Sequence, residues 1–126
     1  MFDLATDPIS QQIIREFYDA NNVVSAVCHG PAAFVNVKLS DGTYLINEKA
    51  ITAFSNAEED AVQLSSAMPF ALETELNKNS ASKYEKAAEL WGEKVVVSGR
   101  VITGQNPASA TAIGKAILKA ISGTSV

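Results

Sequence analysis

At 126 residues the chain lies in the one-domain range, and its 47% apolar content is enough to bury a core, which excludes a linker or a disulfide-stapled miniprotein. A net charge of −4, with Arg15 and Arg100 the only arginines, leaves no cationic excess to neutralise phosphates, so nucleic acid is not an expected partner. No apolar run approaches the roughly 18 residues of a spanning helix, and the opening Met1-Phe2-Asp3-Leu4-Ala5-Thr6-Asp7 is acidic, so a cytoplasmic protein without signal peptide or membrane anchor is expected.

Asp7-Pro8 reads as an N-cap followed by proline at the first helical position. The apolar set Ile9, Ile13, Ile14 and Phe17 then predicts a helix over about 8–20, stopped by Asn21-Asn22. Val23 to Val27 is a short β-branched run, too brief for a helix, and predicts a buried parallel strand ending at Cys28. From Pro31 the run Ala32-Ala33-Phe34-Val35-Asn36-Val37 predicts a helix that starts directly at the turn. Asp41-Gly42 marks a loop, and Tyr44-Leu45-Ile46 and Ala50-Ile51-Thr52-Ala53-Phe54 read as two extended segments. Ser55-Asn56 caps a helix opening with Glu58-Glu59-Asp60, acids that suit the positive end of the helix dipole. Met68-Pro69-Phe70 breaks the pattern before another helix to about Asn77. Val95-Val96-Val97 and Val101-Ile102-Thr103 around Ser98-Gly99 predict a tight hairpin. Asn106 is the expected cap of a final Ala-rich helix with Ile113, Ile117, Leu118 and Ile121 on one face, closed by Gly123. The order favours α/β, with helices against a mainly parallel sheet. Only about two central strands accompany the hairpin and none precedes the first helix, so the chain reads as the second half of a doubly wound domain.

One region carries chemistry. A nucleophile at a sharp strand-to-helix turn projects clear of the sheet, and small neighbours let the turn pack; Ala26, Gly30, Ala32 and Ala33 are such neighbours of Cys28. Backbone N–H groups at the helix start, those of His29 and Gly30 among them, are expected to stabilise a Cys28 thiolate, lower its pKa and bind a developing oxyanion. His29 is the candidate proton carrier. The alternative reading makes Cys28 a core thiol and His29 a surface polar residue. A single cysteine cannot form an intrachain disulfide, and a single histidine leaves no Cys/His spacing for structural zinc, so neither metal nor cofactor is expected. Trp91, Met68 and Phe70 read as packing, with Trp91 alternatively a wall of a subunit interface.

Ala26-Val27-Cys28-His29-Gly30-Pro31-Ala32 resembles the cysteine elbow of the DJ-1/PfpI superfamily, whose members are also called ThiJ and class I glutamine amidotransferase-like. Three further blocks match in order: the run from Lys49 to Glu59, the run from Met68 to Glu73, and the run from Val97 to Ser109. Together they are most similar to the heat-shock-protein-31-like branch and cover almost the whole chain. The resemblance implies a flavodoxin-like three-layer sandwich and glutathione-independent glyoxalase (glyoxalase III) activity, which converts methylglyoxal to lactate. It also implies that Cys28 is the nucleophile that adds to the aldehyde carbon, that His29 is the base that moves a proton between the two carbons, and that an acid among Glu58, Glu59 and Asp60 orients the histidine. Consecutive helical residues point about 100° apart, so the three acids cannot all face the site. With Ile51-Thr52-Ala53-Phe54 matched as a frame, Glu59 takes the triad position.

Family members carry an upstream half with an acid that hydrogen-bonds the cysteine and a glycine-histidine-glycine turn beside the oxyanion site. This chain resembles the portion after that turn, and on this reading it is expected to be catalytically impaired alone. A half-domain exposes sheet edge and apolar helix faces, so a homo-oligomer, as a dimer, or association with a complementing N-terminal half is expected. Beside the glyoxalase reading stand a chaperone-like holdase or redox-sensing module, and amidotransferase or peptidase chemistry on the same elbow.

Overall fold

The structure is a computed structural model and describes residues 1–123. Asp7 and Pro8 start the first helix, α1 (Pro8–Asp19): the Asp7 carboxylate accepts the Ile9 N–H at 2.9 Å, and Pro8 occupies the first turn, where a missing N–H costs nothing. Asn21 follows in the left-handed region at φ 66° and turns the chain into β1 (Val24–Val27). The sheet has the order β1-β3-β2. β3 (Val101–Gly104) is central; it pairs parallel with β1, Val24 against Val101 and Val27 against Gly104, and antiparallel with β2 (Val95–Ser98). The described sheet is thus mixed, its parallel pairing set beside the expected hairpin. Only Gly99 and Arg100 join β2 to β3, and Gly99 at φ 59° takes the positive dihedral that a two-residue hairpin turn requires.

The core gathers Val24 and Val101 from the sheet, Phe34, Leu45, Ile46 and Ile51 from the long connection after β1, and Leu76 from α3 (Leu72–Asn79). The short helix α2 (Asn56–Ala61) lies between that connection and α3, and α4 (Ala110–Ser122) packs on β3 and β2.

Two local expectations are revised. The turn after Cys28 leads into a 3-10 helix, Gly30–Phe34, rather than an α-helix. The Cys28 carbonyl, four residues before Ala32, is taken by Phe54 N–H, and Ala32 N–H bonds three residues back, to the His29 carbonyl at 3.1 Å. The segments 44–46 and 50–54 are not strands: each makes one isolated bridge, Lys38 with Tyr44 and Ile51 with Tyr84. The second segment is nevertheless fully buried from Ile51 to Ser55, because its amides find partners other than a neighbouring strand. Thr52 N–H donates to the Thr103 hydroxyl at 3.0 Å and Phe54 N–H to the Cys28 carbonyl at 2.8 Å. Of the α4 apolar set only Ile113 is buried, whereas Leu118 and Ile121 are 51% and 71% exposed.

The same holds on the other side of the sheet. α1 has no buried residue, and its Ile9, Ile13 and Phe17 are all more than half exposed. Ile9 and Ile13 line a groove of about 480 Å³ together with Ser25 and Ala26 of β1 and Phe34. β1 is an edge strand, so one row of its backbone groups has no partner within the sheet.

Ile102, fully buried in the central strand, is the residue on which the sheet is most exposed to damage. Ile102→Ala is expected to lower unfolding free energy by about 2–5 kcal/mol in urea titrations. Val97→Ala, on a 57% exposed position of β2, is expected to cost no more than about 1 kcal/mol.

Candidate functional site

β1 ends where its last side chains must leave the sheet, and Cys28 makes the turn with φ 64°, a left-handed conformation that L-residues adopt at a cost of about 1–2 kcal/mol. Two hydrogen bonds hold it there: its N–H donates to the Gly104 carbonyl at 2.9 Å, and its carbonyl accepts from Phe54 N–H at 2.8 Å. The next turn closes tightly against the strand. A Cβ on Gly30 would sit 3.2 Å from the Ala26 Cβ, so the small residues around the elbow are a packing requirement.

The structure brings Cys28, His29 and Glu59 together. His29 Nδ1 lies 3.6 Å from the Cys28 sulfur, and on the other side of the ring Nε2 lies 2.6 Å from Glu59 Oε2. A carboxylate only accepts, so a neutral imidazole in this pair carries its proton on Nε2 and turns the Nδ1 lone pair toward the thiol. Of the three consecutive acids, α2 aims Glu59 at the histidine and directs the other two elsewhere. Glu58 points into the protein, and the exposed Asp60 accepts a hydrogen bond from the Ser65 hydroxyl. Glu59 is itself buried, and its Oε1 has no protein partner.

The electrostatics reverse one expectation. Burial pushes the Cys28 thiol above its ordinary value; the His29 backbone N–H acts against this, and the nearby Glu58 and Glu59 charges add to it. A five-residue 3-10 helix with two carboxylates nearby does not create the electropositive surroundings that depress a cysteine pKa. The neutral thiol is therefore the favoured form of Cys28. Among the described residues no group of three or more His, Cys, Asp or Glu side chains is arranged to hold a metal ion, and no helix is long and apolar enough to cross a membrane.

Aromatic rings wall the site. Phe54 stacks on the His29 ring at 4.4 Å between centroids, and Trp91 packs on Phe54 at 5.5 Å. Trp91 is 39% exposed and sits at φ 64°, so it is a wall with one open face rather than core packing. Met68 and Phe70 are half-buried and line a cavity of about 340 Å³ with Phe54, Glu59 and Leu72. Asn106 makes no capping bond; its amide donates instead to Glu58 Oε2 at 2.8 Å and the Gly92 carbonyl at 2.7 Å. Phe54, Trp91 and the Glu58 surroundings were not singled out as site features by pattern. One signal for Glu58 was present: Ser55 followed three residues later by Glu is the spacing of a capping box, and both of its reciprocal bonds form.

The DJ-1/PfpI family profile matches residues 2–120. The chain is 32% identical, over 96% of its length, to a probable glutathione-independent glyoxalase, hsp3103, of Schizosaccharomyces pombe, of which the match covers 49%. Among solved structures it resembles the rapid encystment protein REP24 of Francisella tularensis (TM-score 0.90, 38% identity, 95% of this chain and 52% of that one). It also resembles glyoxalase III of Candida albicans (TM-score 0.86, 32% identity, 94% and 52%). The chain thus spans about half the length of the relatives it matches.

Because Cys28 is the only thiol, its alkylation by iodoacetamide reports its ionisation directly. The rate is expected to be low at pH 7 and to reach half its maximum only above the 9.0 of an ordinary thiol, and Glu59→Gln, which removes one carboxylate charge, is expected to move the profile to lower pH. A wild-type profile already half-maximal near pH 7 would contradict the assignment. The strained backbone has its own signature: Cys28→Gly should unfold about 1 kcal/mol less readily than Cys28→Ala in urea, since glycine takes φ 64° without the steric cost.

Proposed function

This chain belongs to the DJ-1/PfpI family, and from that premise we propose that Cys28, His29 and Glu59 serve glutathione-independent glyoxalase chemistry, converting methylglyoxal to lactate. The observation that carries the reading is the His29 ring held between the Cys28 sulfur and the Glu59 carboxylate. The names of the relatives in fission yeast and Candida support the substrate class.

In this scheme Nδ1 takes the thiol proton as the sulfur adds to the aldehyde carbon, and returns it to the carbonyl oxygen, giving a hemithioacetal. The same nitrogen then removes the proton on that carbon and delivers it to the neighbouring ketone carbon, while the hydroxyl proton of the hemithioacetal passes to the former ketone oxygen, leaving an S-lactoyl thioester, which water hydrolyses to lactate and free thiol. The sum is methylglyoxal plus water to lactic acid, with no external oxidant or reductant. Glu59 fixes the tautomer and stabilises the transient imidazolium. The His29 and Gly30 N–H groups at the elbow are the donors proposed for the developing oxyanion. A raised thiol pKa suits this sequence, since a base adjacent to the sulfur removes the proton in step with attack, and it disfavours a constitutively ionised redox sensor.

We read the chain as a single domain; its lone unpaired thiol suits a reducing compartment such as the cytoplasm. A small 2-oxoaldehyde is the proposed ligand. The proposed macromolecular partner is a second copy seated on the open edge of β1 and the apolar face of α1, with a complementing polypeptide as the competing occupant. The same face favours a second reading, a holdase that captures unfolded chains. The two readings part on Cys28→Ala, which leaves aggregation suppression intact under the second and abolishes turnover under the first.

Lactate formation from methylglyoxal is expected for wild-type protein and absent for Cys28→Ala; no lactate from the wild type, in every oligomeric form obtained, would remove the catalytic reading. Sedimentation velocity at micromolar concentration is expected to show a species of at least twice the monomer mass. A single monomeric species would remove the self-association.

A further inference from the structure

Glu58 is the most completely enclosed acid near the site, with no exposed surface, and the chemistry above leaves it unused. Its carboxylate is nevertheless saturated. Oε1 accepts from Ser55 N–H at 3.0 Å, the Ser55 hydroxyl at 2.9 Å and Gln105 Nε2 at 2.9 Å; Oε2 accepts from Asn106 Nδ2 at 2.8 Å and Trp91 N–H at 3.2 Å. Five donors converge on one acceptor-only group.

The donors come from three separate stretches of chain, each of which positions a different part of the site. Ser55 is the N-cap of α2, the helix that carries Glu59. Gln105 and Asn106 directly follow Gly104, whose carbonyl receives the Cys28 N–H. Trp91 backs Phe54, which lies on the face of the His29 ring. Gln105 extends the junction by accepting Ala87 N–H at 2.8 Å, and Asn106 by donating to the Gly92 carbonyl.

We propose that Glu58 is a positioning residue: by tying the α2 cap, the loop after β3 and Trp91 to one buried carboxylate, it holds Glu59 on His29 and His29 on Cys28. The assignment of these three as reacting groups rests on the function proposed above, but the geometry Glu58 imposes on them does not. The group stays ionised in place: burial alone raises its pKa, and the hydrogen bonds from Gln105, Ser55 and Asn106 outweigh that and bring it below the ordinary carboxylate value. A glutamine of the same size fails in the same position, because its amide nitrogen turns a donor toward Trp91 N–H and Asn106 Nδ2, or toward Ser55 and Gln105.

His29 is the only histidine, so long-range proton–nitrogen NMR reads its tautomer without interference, and the readout needs no turnover. Wild-type protein is expected to show the Nε2–H tautomer, and Glu59→Gln to show what the ring does once its carboxylate partner is gone. Glu58→Gln, with Glu59 intact, is expected to move the tautomer population toward that of Glu59→Gln. Gln105→Ala, which removes one donor and keeps the carboxylate, is expected to move it the same way by less, and it provides the reading if Glu58→Gln does not fold. A folded Glu58→Gln, or Gln105→Ala, that lowers the melting temperature while keeping the wild-type tautomer spectrum would overturn the proposal and leave Glu58 a purely structural acid. Absence of lactate from the wild type would instead remove the proposed reaction and leave the tautomer result standing.

Discussion

The two backbone hydrogen bonds at Cys28, its N–H to Gly104 and its carbonyl from Phe54, hold the residue in a conformation it would not adopt freely. A left-handed L-residue costs about 1–2 kcal/mol, and a backbone hydrogen bond returns about 0.5–1.5 kcal/mol net, whereas leaving either group unpaired inside the protein costs about 1–3 kcal/mol. The comparison favours strain with both bonds made. The consequence is directional: β1 delivers its chain to the end of the sheet, the turn lifts the sulfur off the sheet, and the same turn sets His29 where one ring nitrogen meets the sulfur and the other meets α2. The central strand and the buried 51–54 segment serve the site mainly by supplying the two partners of that one residue.

Electrostatics at the elbow then decides how the thiol can be used. Burial and two carboxylates disfavour the thiolate more strongly than the His29 N–H favours it. Under the proposed reaction a histidine oriented by Glu59 resolves the conflict, since it would take the proton only as the sulfur reacts. Each acid of the pair thus has a separate job set by direction alone. Glu59 faces the ring, and Glu58, one residue earlier on a short helix, faces inward and collects donors from distant segments. Their close spacing in sequence hides that division.

Much of the local structure was legible because its causes are local. Asp7-Pro8 starts a helix and Ser98-Gly99 turns a hairpin through interactions spanning a few residues, and a β-branched run ending in Cys-His-Gly-Pro marks an elbow whose geometry distant partners then hold. The choice of Glu59 over its neighbours came from a matched frame, and of the three acids it is the one whose carboxylate lies on the His29 ring. What was not legible depends on contacts far along the chain. The 50–54 segment resembles a strand in composition but pairs through the Thr103 hydroxyl and the Cys28 carbonyl. Asn106 looked like a cap because of the proline after it, yet its amide is taken by Glu58, forty-eight residues away in sequence. The thiol's raised pKa follows from burial and charges that no motif encodes. The apolar stripes of α1 and α4 predicted the helices but not what covers them, since periodicity says only which face is apolar, and both faces are largely exposed.

A chain that spans about half the length of its relatives still brings Cys28, His29 and Glu59 into contact in one line, and the central proposal built on that contact is aldehyde capture at Cys28. Its most direct test is the rate of Cys28 alkylation at one fixed pH as methylglyoxal is added. Reversible addition of the sulfur to the aldehyde predicts saturable protection of the thiol, weakened in His29→Ala; an alkylation rate that does not change with methylglyoxal would contradict the account.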